Sequence, residues 1–193
     1  VFVNYSKELR HEGNTIITSS VLPLNDSILI VANDEGLYKL NSRTEKITTL
    51  RHHSLIVNGL ASLDANNIYV GSNDGLFIYC LTKNSFDTAY RNLSFLRSPI
   101  VSICTSKDTT LWVATSLNGL IAIKNNNVVG TISDTNGLKS NYITTIITGK
   151  NGQIWVGTLS GISKINYQYI NGRIESKVQN MSKIDGLSSA SIH

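Results

Sequence analysis

Apolar positions in this chain fall in short runs, such as SPIVSICTS (98–106) and NYITTIITG (141–149), separated by clusters of Gly, Asn, Asp and Lys. The runs are β-branched and of strand length, and no segment shows a sustained 3.6-residue apolar period of helical length. Each is followed by a second, bulkier run: SILIVANDEG (27–36), NIYVGSNDG (67–75), TLWVATS (110–116) and QIWVGTLSG (153–161). In these, Ile30, Tyr69, Trp112 and Trp155 hold equivalent places, each two residues before Ala32, Gly71, Ala114 or Gly157. The spacings between them are 39, 43 and 43 residues.

Self-similarity at a period near 40 residues indicates a repeat architecture. A turn signal closes each bulky run: Glu35-Gly36, Asp74-Gly75, Asn118-Gly119 and Ser160-Gly161. Asn-Gly and Asp-Gly favour tight hairpins because such turns need positive φ. A third strand follows, then a weaker fourth such as NVVGTIS (127–133). Four antiparallel strands per unit of this length make a propeller blade. The expected fold is all-β: a β-propeller fragment of about four four-stranded antiparallel blades, with partial blades at both ends.

The expected boundaries are 1–12 for the outer part of a preceding blade, then blades at 14–51, 57–92, 99–133 and 142–181. Residues 185–193 are expected to start the next blade, because DGLSSASIH restates TNGLKSNYI (135–143). An orphan outer strand and an orphan inner strand suggest an excerpt of a longer propeller rather than a closed ring. Expressed alone, such a segment is expected to self-associate or unfold, since sheet edges and uncapped end blades expose their faces.

Blades pack face to face, so the second strand needs a bulky residue aimed at its neighbour; an aromatic buries about 150–250 Å² there. Trp112, Trp155, Tyr69 and Ile30 are therefore expected in the core, with Gly75, Gly119 and Gly161 in the turns. The small residue two places on is expected to leave room for the ring.

Composition narrows the function. With 41% hydrophobic and 16% charged residues the chain is an ordinary globular one. Its net charge of +4 comes from scattered Lys and Arg, without the dense block a nucleic-acid surface needs. No run approaches the roughly 18 apolar residues of a membrane span. Cys80 and Cys104 fall on different blades, so a disulfide between them is not expected. The four histidines have no metal-ligand spacing, and no turn has the Asp-x-Asp-x-Asp-Gly pattern of a calcium loop. GTLSG (157–161) is not a nucleophile elbow, since Thr158 and Leu159 stand at the wrong places. Neither a cofactor nor a catalytic residue is indicated.

Recognition is left to loops. Connections from an outer strand to the next inner strand, and from second to third strand, emerge together on one face. They include 51–58, 91–99 and 134–142, which offer Arg51, His52, His53, Arg91, Arg97, Asn141 and Tyr142 as ligand-binding candidates. The bland reading of each is a solvated loop residue. Arg91 and Arg97 would suit a carboxylate or sulfate, because the guanidinium fork pairs bidentately with such groups.

NGLKSNYITTIITGKNGQIWVGTLSGISKIN (136–166) resembles the two-component regulator propeller repeat: an Asn-containing lead-in, an inner strand, IWVGT, then GI opening the third strand. The stretch at 98–123 resembles it nearly as well, with Ala114 at the usual glycine; Tyr69 and Ile30 replace Trp in the earlier repeats. The resemblance implies the periplasmic sensor of a hybrid two-component histidine kinase of Bacteroidetes. Such sensors detect oligosaccharides released from glycans and signal to polysaccharide-utilisation genes. It further implies an oligosaccharide ligand, which Arg91 and Arg97 would suit if it is acidic, as well as remaining blades of the same chain and a homodimer. No nucleic acid or membrane contact is implied for this segment, and it would not be an enzyme. The alternatives are a protein-interaction scaffold and, less favoured, a propeller lyase or hydrolase.

Overall fold

A computed structural model describes residues 18–33, 35–52, 55–87, 90, 92–181 and 185–186. The strands form four antiparallel sheets, each a simple up-and-down meander. The first contains β1 (Thr18–Pro23), β2 (Ile28–Asn33), β3 (Gly36–Asn41) and β4 (Lys46–His52). The second contains β5 (Val57–Ser62), β6 (Asn67–Ser72), β7 (Gly75–Cys80) and β8 (Ser85–Asp87). The third runs through β9 (Ile100–Thr105), β10 (Leu111–Thr115), β11 (Leu120–Lys124) and β12 (Asn127–Ile132). The fourth is β13 (Ile143–Thr148), β14 (Ile154–Thr158), β15 (Gly161–Ile170) and β16 (Arg173–Met181). The fold is all-β, and the sheets are propeller blades whose first strands β1, β5, β9 and β13 lie side by side in sequence order. The partial blade expected at 1–12 lies outside the described residues, as does most of 185–193.

Alternation along the strands fills the space between blades. In β10, Leu111 and Val113 face the second blade, packing with Tyr69, Ile78, Ile100 and Ile103. Trp112 and Ala114 point the other way, onto Ile143, Ile146, Ile154 and Ile165 of the fourth blade. Both faces of β10 are thus buried, as a central strand between two neighbours requires. Ile30 and Ala32 pack likewise against Val57, Leu60, Ile68 and Tyr79.

Trp112 is fully buried, its ring meeting Tyr167 edge-on at a centroid distance of 4.7 Å. Its indole N–H donates to Ser106 Oγ at 3.3 Å, so the polar end of the ring is not left unpaired. Tyr69 and Ile30 are buried too. Trp155 departs from the expectation. It is only half-buried, on the face of the fourth blade that no described blade covers, with Lys164 Nζ 5.6 Å from its ring centroid. The small residue two places on also has a different role from the one expected. A Cβ on Gly71 would lie 2.7 Å from Ile100 Cγ2 and 3.2 Å from Ile103 Cγ2, so the missing side chain admits the next blade's inner strand rather than the ring.

Fourth strands vary most. β8 is three residues long, whereas β15 and β16 form a hairpin of ten and nine residues through Asn171 and Gly172, both at positive φ. Ile174 and Val178 of that hairpin lean back on the third blade. Cys80 and Cys104 are both free, and burial pushes the Cys104 thiol up to about 12.

Candidate ligand-binding mouth

Two kinds of connection build one end of the molecule, and their contacts put them together. A Cβ on Gly75, in the β6–β7 turn, would meet Leu96 O and Arg97 Cα in the connection from the second to the third blade. A Cβ on Gly119 would meet Ile132 O, Ser133 Cα and Asn141 Oδ1 in the next such connection. Within blades, Asn73 N–H donates to Ile56 O, Ser116 N–H to Pro99 O and Leu159 N–H to Tyr142 O, at 3.1, 3.0 and 3.2 Å. The second-to-third turn is therefore tied to the lead-in of its own inner strand each time.

A hydroxyl holds three of these turns closed. Thr115 Oγ1 donates to Gly119 O at 3.0 Å and accepts Asn118 N–H at 2.8 Å. Ser72 and Thr158 repeat the arrangement with Gly75 and Gly161. In the first blade Asn33 Oδ1 accepts the N–H groups of Glu35 and Gly36 instead. These side chains were not singled out from sequence, although the recurrence of a hydroxyl three or four residues before the turn glycine was a readable signal.

The seven candidate residues separate on this frame. Arg97, closing the 3₁₀ turn Ser94–Leu96, is exposed, and Tyr142 is 55% exposed at the lead-in to β13. Asn141 is engaged structurally: its Oδ1 accepts Asp134 N–H at 2.9 Å. Arg51 lies across the Phe86 ring, 4.8 Å from the centroid, and so braces the first blade against the second. His52 ends β4, and His53 and Arg91 lie outside the described residues.

Sequence reasoning missed the apolar part of this mouth. Ile56 in the β4–β5 connection, Leu117 in the β10–β11 turn and Leu159 in the β14–β15 turn are exposed by 57%, 58% and 46% at the same end as Arg97 and Tyr142. Exposed aliphatic and aromatic surface at the end that also carries a guanidinium suits an amphipathic ligand, whose C–H faces need cover and whose polar edges need partners. Among the described residues no group of His, Cys, Asp or Glu is placed to hold a metal ion, and no helix is long and apolar enough to cross a membrane.

The opposite end carries the first-to-second turns and a polar knot. Asp108 accepts hydrogen bonds from Ser106 at 2.5 Å, Tyr167 at 2.9 Å and Thr110 at 3.0 Å, and pairs with Lys124 at 3.2 Å. Burial works against the carboxylate, but the bonds from Ser106, Tyr167, Thr110 and Lys124 outweigh it and hold its pKa at about 2. An unfolded Asp titrates near 3.9. A depressed folded pKa adds stability that is present above about pH 4 and lost as pH falls through about 2. Asp108→Ala should therefore lower the denaturant midpoint at pH 7, with the deficit relative to the parent shrinking between about pH 4 and pH 2. Urea titrations across that range check it; a deficit independent of pH contradicts the assignment.

Residues 137–160 match the family described as Two component regulator propeller. Among solved structures, the chain is similar to the extracellular domain described for the hybrid two component system BT3049 of B. thetaiotaomicron. The TM-score is 0.71 at 19% identity over 91% of this chain and 24% of that one. It is also similar to the extracellular domain described for the one component system BT4673 of the same organism, with a TM-score of 0.64, 18% identity, and 86% and 22% coverage. The RRP9 WD40 repeats match at a TM-score of 0.62 with 12% identity, over 89% of this chain and 55% of that one. No curated protein matches the sequence. None of these three structures is described as an enzyme, and the chain spans about a quarter of the length of the two bacterial domains. The chain is thus a propeller segment that carries a two-component regulator propeller repeat at residues 137–160.

Proposed function

We propose that this chain is a ligand-sensing segment of the extracytoplasmic, periplasmic region of a hybrid two-component sensor histidine kinase. The family match at 137–160 carries the reading. The likeness to extracellular propeller domains supports it at the level of fold. The ligand is a glycan-derived oligosaccharide, bound at the end of the propeller that exposes Arg97, Tyr142, Ile56, Leu117 and Leu159. Arg97 favours an acidic sugar, and the Tyr142 ring offers a face for pyranose C–H groups. The remaining blades and a second copy of the chain complete the sensor, and its output is expression of polysaccharide-utilisation genes.

The test uses the full-length protein. Calorimetric titration with oligosaccharides from digested glycans should yield one binding class, and kinase output should follow occupancy. Arg97→Ala and Tyr142→Ala should each weaken the response about tenfold, the loss of one charge-assisted contact or one buried face, while the melting temperature stays within a few degrees. Normal responses from both variants would remove the site from this mouth.

A protein scaffold is the second reading, favoured by the aliphatic character of Ile56, Leu117 and Leu159. Saturable binding of a partner domain with no sugar response would establish it instead.

A further inference from the structure

β15 outruns its neighbour. β14 pairs only with Gly161–Ile165, whereas β16 pairs from Ile162 to the hairpin end at Ile170. The backbone of residues 166–170 therefore has no strand on its inner side, over about 16 Å of extended chain. The third strands of the first two blades are paired along their whole length with the second. A free edge of this kind is normally blunted by charge, proline or a bulge. Here Asn166, Tyr167, Gln168, Tyr169 and Ile170 contain no charge and no proline, and their pairing with β16 is regular.

A cavity of about 230 Å³ opens at the step where β14 stops, lined by Asp108, Asn151, Gln153, Asn166, Gln168 and Tyr169. It is smaller than the roughly 300–1,000 Å³ of a drug-sized pocket, but it is continuous with the open edge. Among the described residues, the side-chain amides of Asn151, Asn166 and Gln168 take part in no hydrogen bond, so donors and acceptors stand uncommitted beside an uncommitted backbone. We propose that this edge is a strand-addition site, which takes an extended peptide segment antiparallel to β15 with one end seated in the cavity.

Charge selects the occupant. Lys107 and Lys150 are exposed on the turns that flank the cavity, and Arg173 is exposed at the far end of the arm. Asp108 is already paired with Lys124. A second copy laid antiparallel along the arm would bring its Arg173 to Lys107 and Lys150, like against like. A segment with acidic residues at both ends and a β-branched middle meets cations at each end instead. The partner is therefore an acidic-flanked extended segment of another polypeptide, bound on the opposite end of the propeller from the proposed sugar mouth and independent of it.

The probe is a labelled peptide of alternating valine and threonine closed by glutamate at each end, followed by fluorescence anisotropy on the full-length protein. Saturable binding is expected, weakened about tenfold or more by Lys150→Glu. Adjacent strand residues send their N–H groups to opposite edges. Of Gln168→Pro and Tyr169→Pro, one should therefore lose peptide binding with little change in melting temperature, and the other should weaken the β15–β16 hairpin and lower the melting temperature. Absence of saturable binding overturns the proposal, as does binding indifferent to both prolines and to Lys150→Glu. Concentration-dependent dimers in sedimentation that the arm prolines abolish, with no peptide binding, would assign the edge to a second copy instead. Should both proline variants fail to fold, the charge reversal alone decides.

Discussion

Replacing Trp112 by alanine is expected to cost about 3–5 kcal/mol of stability. The ring is completely buried between the third and fourth blades, and its removal leaves a void lined by Ile143, Ile146, Ile154 and Tyr167. Rigid sheets on both sides limit collapse into that space, which keeps the cost near the upper end of the range. Ser106 Oγ would also lose the indole donor at a site where it already serves Asp108 and Thr110. Urea unfolding followed by circular dichroism measures the change. Trp155→Ala is the internal comparison: half-buried and facing outward, it should cost roughly half as much or less in the chain as described. Equal losses at the two positions would mean that the outer face of the fourth blade is covered as completely as the third.

Gly119→Ala should be the next most damaging change, at about 2–4 kcal/mol. Two penalties combine there. The residue sits at φ +74°, in the left-handed region, and an added Cβ would lie 2.4 Å from Ile132 O. That carbonyl closes the third blade's outer strand, so it cannot retreat without disturbing the crossing to β13. Gly152→Ala gives a control, because φ is +82° but nothing lies within 4 Å of the new methyl. Its cost should be the conformational part alone, about 1 kcal/mol. Thermal melts of the pair separate steric from torsional contributions; if the two variants melt together, the contact with Ile132 carries no weight.

Much of this architecture was legible in the sequence because each repeat writes the same local instruction. A β-branched run, a bulky run ending in a hydroxyl and a glycine turn specify three strands wherever they occur. Trp155 shows where that legibility stops. Its local sequence is almost that of Trp112, yet burial depends on what lies across the interface, which no local pattern encodes. The long β15–β16 arm was missed for another reason. Asn171-Gly172 is a strong hairpin signal, but Asn166 to Ile170 mixes amides with tyrosines and does not read as the extension of a strand. Of the loops expected to carry recognition, those at 91–99 and 134–142 expose Arg97 and Tyr142. Asn141 was indistinguishable from a ligand-binding amide until its bond to Asp134 N–H placed it in the loop's own scaffold. The exposed Ile56, Leu117 and Leu159 were overlooked because isolated aliphatics between strands look like strand ends.

The side-by-side inner strands bear on how the chain acquires its shape. Among the described residues, every strong contact between sheets joins neighbours in sequence: β1 to β5, β5 to β9, β9 to β13. Tyr79 OH donates to Leu50 O at 3.3 Å, Asn58 Nδ2 reaches forward to Ile100 O at 2.8 Å, and Ile146 N–H reaches back to Ser102 Oγ at 3.4 Å, so each of these three junctions is also stitched locally. Loop closure between these sheets spans little more than one repeat, and its entropic cost rises only slowly with length. A nascent chain can therefore complete a blade, lay it against the one before, and leave a prepared surface for the one after, following the order of translation from ribosome to finished array.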